Sequence, residues 1–305
     1  MLRSGDHPQG SAVGHASAAA VEAALVPDAF PDAGNDWLLS AVPQQGLPGS
    51  DLALLARVGR CDPCNLEQYT SSGGYAGLRR SVKIGPEATV AEVTASGIVG
   101  RGGAAFPTGR KWDAVAKAVD AEKYVVCNAD ESEPGTFKDR VVMEGDPFAL
   151  VEGMTIAGLA VGAAKGFLYI RGEYPLAIRR MAAALDAARA GNLLGGNILG
   201  SGRSFDIEIR RGAGAYICGE ETALFNSIEG QRVEPRNKPP FPVQHGLFNK
   251  TTVINNVETL ANIPLVLREG GATIGALGTP GSKGRKLFCV SGNVTHPGEI
   301  GRAHV

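Results

Sequence analysis

The run Gly100-Arg101-Gly102-Gly103-Ala104-Ala105-Phe106-Pro107-Thr108-Gly109-Arg110-Lys111-Trp112 most constrains what this chain can fold into. Its four glycines leave backbone N–H groups uncovered, so the main chain can close around a phosphate or a flat ring. Arg101, Arg110 and Lys111 add positive charge and Phe106 an aromatic face, a combination suited to a nucleotide. Gly100-x-Gly102-x-x-Ala105 formally matches the dinucleotide fingerprint, which requires a strand immediately before it. Thr89–Ser96 reads instead as a helix ending at Gly97, and both an ordinary Rossmann loop and a purely structural glycine loop stay open. The absence of G-x-x-x-x-G-K-[ST] excludes a phosphate-loop NTPase.

The 305 residues suffice for one large domain with appendages, and 44% hydrophobic with 20% charged content is ordinary for a globular protein. A net charge of −1 excludes the basic bias of nucleic-acid binders. The 42 glycines gather in loops without a period, which points to close approach of backbone and ligand. No apolar stretch reaches the ~18 residues of a membrane span, and Met1–Ala20 lacks an apolar signal core, so the expected location is cytoplasmic. Five mostly isolated cysteines fit reduced thiols, and no histidine cluster marks a metal site.

Residues 1–50 read as a tail or the remnant of a preceding segment, and 51–97 as a helical lead-in with helices at Asp51–Val58, Asn65–Gln68, Gly77–Val82 and Thr89–Ser96. Strands at Lys123–Cys127, Gly166–Ile170 and Ser204–Arg210 alternate with helices at Pro147–Ala164, Pro175–Arg189, Glu220–Ile228 and Asn256–Arg268. This alternation predicts an α/β core with a largely parallel sheet over 98–270. From about Gly270 the texture changes to Gly, Thr, Ser and Pro. Lys286–Ser291 then starts a strand with no partner left in the sequence, as if a domain over 271–305 were cut short.

Four further motifs carry chemistry. Asn128–Arg140 follows the Tyr124–Cys127 strand, where ligands gather in open α/β sheets, and offers closely spaced carboxylates to sugar hydroxyls; a solvated acidic loop is the alternative. Arg211–Leu224 runs from a strand through glycines into a helix, whose first amides can hold an anion, while Glu220 and Glu221 complement the helix dipole even without a ligand. Arg236-Asn237-Lys238-Pro239-Pro240-Phe241-Pro242 can hold Phe241 against a planar partner. Asn255-Asn256-Val257-Glu258-Thr259 opens a helix with capping residues.

In this order and spacing, roughly over Ile84–Glu299, the motifs resemble the flavin-bearing, NADH-oxidising subunit of respiratory complex I, NAD-reducing hydrogenases and NAD-linked formate dehydrogenases. Ala105 stands where complex I members usually carry glycine, which favours the formate dehydrogenase and hydrogenase versions. The resemblance implies a Rossmann-like FMN-binding domain with NADH stacked over the flavin, followed by the start of a β-grasp-like domain. It assigns Arg101, Gly102, Lys111, Asn128, Asp130, Glu131, Tyr216, Gly219, Glu220, Asn255, Asn256 and Thr259 to FMN. To NAD(H) it assigns Gly102, Phe106, Lys111, Glu133, Glu221 and Phe241, with Phe106 and Phe241 on the adenine. Hydride transfer needs no acid or base at the reacting carbon, so Glu133 and Glu221 act by positioning.

The implied partners are NADH, a thioredoxin-like [2Fe–2S] subunit and a larger iron–sulfur or catalytic subunit, with peripheral attachment to the inner membrane through them. Family members continue into a [4Fe–4S] domain. Cys127, Cys218 and Cys289 have no close cysteine neighbour, so no cluster is expected in this polypeptide. Cys61-Asp62-Pro63-Cys64 has redox spacing but follows an expected helix, which favours a structural pair, and His245 reads as a loop residue. Ile300-Gly301-Arg302-Ala303-His304-Val305 is what ATC-GGA-AGA-GCA-CAC-GTC encodes, a string of sequencing adapters, so a longer natural protein is expected. The alternatives are a non-catalytic NAD(H)/FMN-binding remnant and a conventional Rossmann dehydrogenase.

Overall fold

A computed structural model describes residues 44–46, 52–293 and 298–302; most of the expected tail over 1–50 lies outside them, as do 303–305. In chain order the elements are β1 (Gln44–Gly46), α1 (Leu66–Ser71), α2 (Ala76–Ile84), α3 (Pro86–Ala95), α4 (Thr108–Lys117), β2 (Lys123–Ala129), α5 (Lys138–Gly145), α6 (Pro147–Val161) and β3 (Lys165–Ile170). There follow α7 (Pro175–Ala190), β4 (Asp206–Arg211), α8 (Glu221–Ile228), β5 (Thr251–Asn256), α9 (Val257–Glu269), α10 (Gly271–Gly275), β6 (Gly278–Thr279), β7 (Ser282–Lys283), β8 (Lys286–Val290) and β9 (Gly298–Arg302).

The apolar run at the centre of β2 is buried on both faces, the signature of a strand covered by helices. It anchors a four-stranded sheet of order β4-β3-β2-β5, every pair parallel. The register pairs Asn128 with Asn256 and Ala129 with Ile170, so the carboxyl ends of β2, β3 and β5 lie side by side. All fifteen residues of α6 are buried, in keeping with its apolar composition on every side. Its one carboxylate, Glu152, accepts the Tyr69 hydroxyl at 2.5 Å and the Tyr75 and Leu78 N–H groups at 2.7 and 2.9 Å, and so satisfies the amides that open α2.

Pro264 sits inside α9 and cannot donate to the Leu260 carbonyl four residues back. Helix α6 packs tightly against α9 at that carbonyl, where a Cβ added to Gly153 would overlap the Leu260 oxygen. Gly153→Ala is therefore expected to force the two helices apart and to cost about 2–4 kcal/mol of stability, well beyond the loss typical of a surface change. Chemical denaturation of the two proteins measures it.

The structure departs from the sequence reading at five elements. Residues 52–61 form successive i→i+3 turns (Leu55 N–H to Leu52 C=O, Val58 to Leu55, Arg60 to Arg57) rather than a helix, and they lay Leu54, Leu55 and Val58 into the core. Helices α4 and α5 and strand β5 were not anticipated. The strand expected to lack a partner, β8, pairs antiparallel with β9, and β9 pairs parallel with β1. No described helix is long and apolar enough to cross a membrane.

Candidate functional site

The carboxyl ends of parallel strands collect their following loops at one edge, and here those loops enclose an open cleft of about 760 Å³. Four separate stretches reach it: the glycine run from Gly100 to Phe106, the Asn128–Asp139 loop after β2, the Tyr216–Glu221 turn before α8, and the Ile254–Asn256 end of β5. Helix α4 contributes Lys111 and the 237–245 segment contributes Lys238.

The glycine run follows helix α3 and not a strand, as the sequence indicated, and its ends are closed by a bridge between Val99 and Pro107. Gly100 N–H donates to Phe106 C=O at 2.9 Å and Arg101 N–H to Thr259 Oγ1 at 2.9 Å. Between them, the N–H groups of Gly102, Gly103, Ala104 and Ala105 donate to no acceptor among the described residues. Gly103 has φ +105° and Ala105 φ +51°, so the run turns through the left-handed region twice. A Cβ on Gly102 would come within 3.3 Å of Asn256 Cβ. The run thus leaves four successive amides free of acceptors beside Asn256, the residue that caps α9.

The walls are cross-linked. Asn128 Nδ2 donates to Gly219 C=O at 2.9 Å, and the Tyr216 hydroxyl to Glu133 at 2.6 Å, joining the loops after β2 and β4. Glu220 caps α8 by accepting the Thr222 and Ala223 N–H groups, and Lys238 Nζ lies 2.8 Å from Glu220 and 2.7 Å from Glu221. Burial works to raise the Glu220 pKa, but Lys238 and these donors outweigh it and hold the carboxyl below its ordinary value. Lys111 Nζ donates to Ile254 C=O at 3.0 Å, and burial lowers its pKa despite Glu221 nearby. Its neighbour Trp112 is buried and donates to Asn255 Oδ1 at 3.0 Å. Asn256 ends β5 and caps α9 at Glu258 N–H, while its Nδ2 donates to Asp139 at 2.5 Å and its Oδ1 accepts from Lys138 Nζ at 3.2 Å.

Of the residues assigned by resemblance, Arg101, Gly102, Phe106, Lys111, Asn128, Asp130, Glu131, Glu133, Tyr216, Gly219, Glu220, Glu221, Asn255 and Asn256 line this one cleft. Two do not. Thr259 lies beneath it, fully buried, and its hydroxyl holds the Arg101 amide. Phe241 stands outside the lining, 53% exposed. Arg101 reaches the cleft through its stretch of chain, but its guanidinium turns away, donating to Lys283 C=O at 2.7 Å and Arg285 C=O at 3.0 Å, with Glu258 3.9 Å from Nε. Its charge thus ties the cleft to the segment before β8. Lys138, Asp139 and Lys238 were not singled out in the sequence. Each lay inside a quoted motif: Lys138 and Asp139 form a cation–carboxylate pair in the acidic stretch after β2, and Lys238 is a cation in a proline-rich segment with no carboxylate to mark it.

Glu131 accepts the Asp139 and Arg140 N–H groups at the start of α5, at 2.9 and 3.1 Å, and the Tyr174 hydroxyl at 3.2 Å. Burial first, then the Asp139 charge, pushes its pKa up to about 7 against these donors and Lys138. At this carboxyl the folded state therefore binds more protons than the unfolded one between about pH 4.5 and 7, and its contribution to stability falls as pH rises through that window. Other buried carboxyls such as Asp146 and Glu152 are raised as well, so denaturation across this range is expected to show a decline in both proteins that is steeper in wild type than in Glu131→Gln.

Cys61 and Cys64 are both free thiols, and burial with Asp62 pushes the Cys64 pKa up, opposite to a thioredoxin-type thiolate. His245 sits in an exposed loop with Nδ1 3.0 Å from Asn249 Oδ1.

Residues 93–265 match the Nuo51 FMN-binding domain. The chain is 51% identical over 246 residues to an NADH-quinone oxidoreductase subunit of Rhizobium meliloti, covering 80% of this chain and 58% of that protein. It is 50% identical over 242 residues to NADP-reducing hydrogenase subunit HndC of Solidesulfovibrio fructosivorans, covering 79% and 49%. A solved NAD+-reducing [NiFe]-hydrogenase in the air-oxidized state superposes with a TM-score of 0.74 at 37% identity, over 92% of this chain and 45% of that one. The chain thus spans roughly half the length of the curated relatives it matches. A family match over more than half of the chain and relatives at about half identity agree: this chain belongs to the Nuo51 FMN-binding domain family.

Proposed function

We propose that this chain is the FMN- and NADH-binding part of an electron-input flavoprotein, exchanging hydride between a nicotinamide and a flavin. The observation that supports it most is the convergence of four sequence-distant stretches on one cleft, among them a glycine run whose Gly102 to Ala105 amides have no acceptor among the described residues. A flavin phosphate fits that run, because the amides supply unpaired donors and a side chain at Gly102 would crowd Asn256. Lys111 and the Asn255–Asn256 end of β5 would hold the ring side, and Asn128, Asp130 and Glu131 the ribityl hydroxyls. Bound FMN supplies the acceptor for hydride at its N5.

The residues of the chain do the positioning. Glu133 and Tyr216, held together across the mouth, and Glu221 with Lys238 would orient the dinucleotide over the ring, and Phe106 and Phe241 would stack on its adenine. The Arg110 guanidinium and the Lys111 ammonium each lie 5.9 Å from the Phe106 ring centroid, which braces the ring for that role. None of these side chains has to move a proton at the reacting carbon.

Electrons would leave to iron–sulfur subunits of a multisubunit oxidoreductase, among them a thioredoxin-like [2Fe–2S] subunit, in a cytoplasmic assembly that is peripheral to the membrane. What supports partner subunits in general is that the relatives are themselves named as subunits of quinone oxidoreductases and hydrogenases. The test is the purified chain incubated with FMN. A retained yellow flavin that NADH bleaches, with ferricyanide restoring it over repeated turnovers, supports the reading. NADH binding without flavin retention would favour a plain Rossmann dehydrogenase. Flavin retention without bleaching would favour a non-catalytic remnant.

A further inference from the structure

We propose that Arg236 is a positioning residue that sets the dinucleotide side of the cleft by clasping the base of the 237–245 segment to one face of α8. The proposal rests on the reading above that Lys238 and Phe241 meet NADH. Arg236 does not line the cleft itself. Its N–H donates to Thr222 Oγ1 at 2.8 Å, Nε to Asn226 Oδ1 at 2.8 Å, Nη2 to Glu229 at 2.7 Å and Nη1 to Gly246 C=O at 3.1 Å. Thr222, Asn226 and Glu229 follow one another at i, i+4 and i+7, so they share a face of the helix and its end. The guanidinium also lies 5.8 Å from the Phe225 ring centroid.

One side chain therefore holds both ends of the segment: its own residue at the start and Gly246 at the close. Between them stand Lys238, paired with Glu220 and Glu221, and the exposed Phe241 ring. The segment is also tied in its middle, where Pro242 is buried, Val243 packs against the hydrophobic core and His245 meets Asn249, so the clasp acts on its two ends. Thr252 N–H donates to Pro242 C=O at 3.0 Å, and Gln244 and His245 N–H groups turn back onto Phe241 C=O. A fork of three donor directions is what these acceptors require, and a lysine ammonium cannot span them together. With the clasp open, Lys238 and Phe241 would sample positions away from the cleft, and a dinucleotide would have to order them on binding.

The experiment compares wild type, Arg236→Gln and Arg236→Lys in the full chain, by amide hydrogen exchange without nucleotide and by NADH–ferricyanide kinetics after FMN loading. In Arg236→Gln, exchange is expected to speed up across 237–250 while β2 and β3 keep their protection. KM for NADH is expected to rise roughly tenfold, the equivalent of one lost charge-assisted hydrogen bond, with kcat and flavin content unchanged. Arg236→Lys should fall between. Unchanged exchange in 237–250 would overturn the clasp whether or not the chain binds NADH. Faster exchange with an unchanged KM would overturn the positioning role, and loss of flavin or of β2 protection would show a merely structural residue. If wild type itself fails to turn over NADH, the functional reading falls, while the exchange comparison still decides the clasp.

Discussion

Glu258→Ala is expected to lower the unfolding free energy by about 3–5 kcal/mol, the range for stripping one partner from a buried ion pair. Glu258 is buried in the first turn of α9 and faces two cations, Lys138 at 3.1 Å and Arg101 at 3.9 Å, while accepting the Leu287 N–H at 2.9 Å. Burial works to raise its pKa, and Lys138 with the Leu287 amide works the other way. Removing the carboxylate leaves Arg101 with no facing anion and the Leu287 amide with no acceptor. Lys138 keeps Asp139 at 2.7 Å, which limits the damage on that side. Glu258→Gln keeps one acceptor and should lose less. Urea denaturation at neutral pH orders the three proteins, and a Glu258→Ala variant as stable as wild type would show that the network contributes nothing net.

The second large effect concerns ligand and not stability. Gly102→Val is expected to weaken FMN binding by about 100-fold, roughly 2.7 kcal/mol, while moving the thermal midpoint little. The side chain would cover the amides of Gly102 and Gly103 and press on Asn256, whose Cβ is 3.3 Å from where the new Cβ would stand. The loop borders open space, so the fold has room to adjust where a ligand does not. Quenching of flavin fluorescence on titration reads the affinity directly. Unimpaired binding would mean that the phosphate sits elsewhere.

The sheet was legible where burial on both faces leaves an unmixed apolar run, as in Lys123–Cys127, and the central helix where fifteen residues in a row avoid the surface. Strand β5 escaped because its last two residues, Asn255 and Asn256, look like helix caps; Asn256 is in fact both strand end and cap. Helix α4 was hidden by Gly109, which weakens helical propensity and is there because α4 crosses α3 so closely that a Cβ would overlap Thr94. Helix α5 was hidden because it buries Asp139 and Glu144, so no apolar stripe marks it.

The residues of the cleft were legible as motifs because chemistry clusters in each loop. The direction of the Arg101 side chain was not, since it depends on carbonyls more than 180 residues further along the chain. Its fork and the Glu258 carboxylate each reach across residue 270, the boundary where the sequence changes texture, to the backbone at Lys283, Arg285 and Leu287. Anyone wishing to transplant the smallest portable flavin module from this protein should therefore cut after Val290 and not at the compositional break. A fragment stopping at 270 would take from the guanidinium under the cofactor loop both carbonyls it donates to.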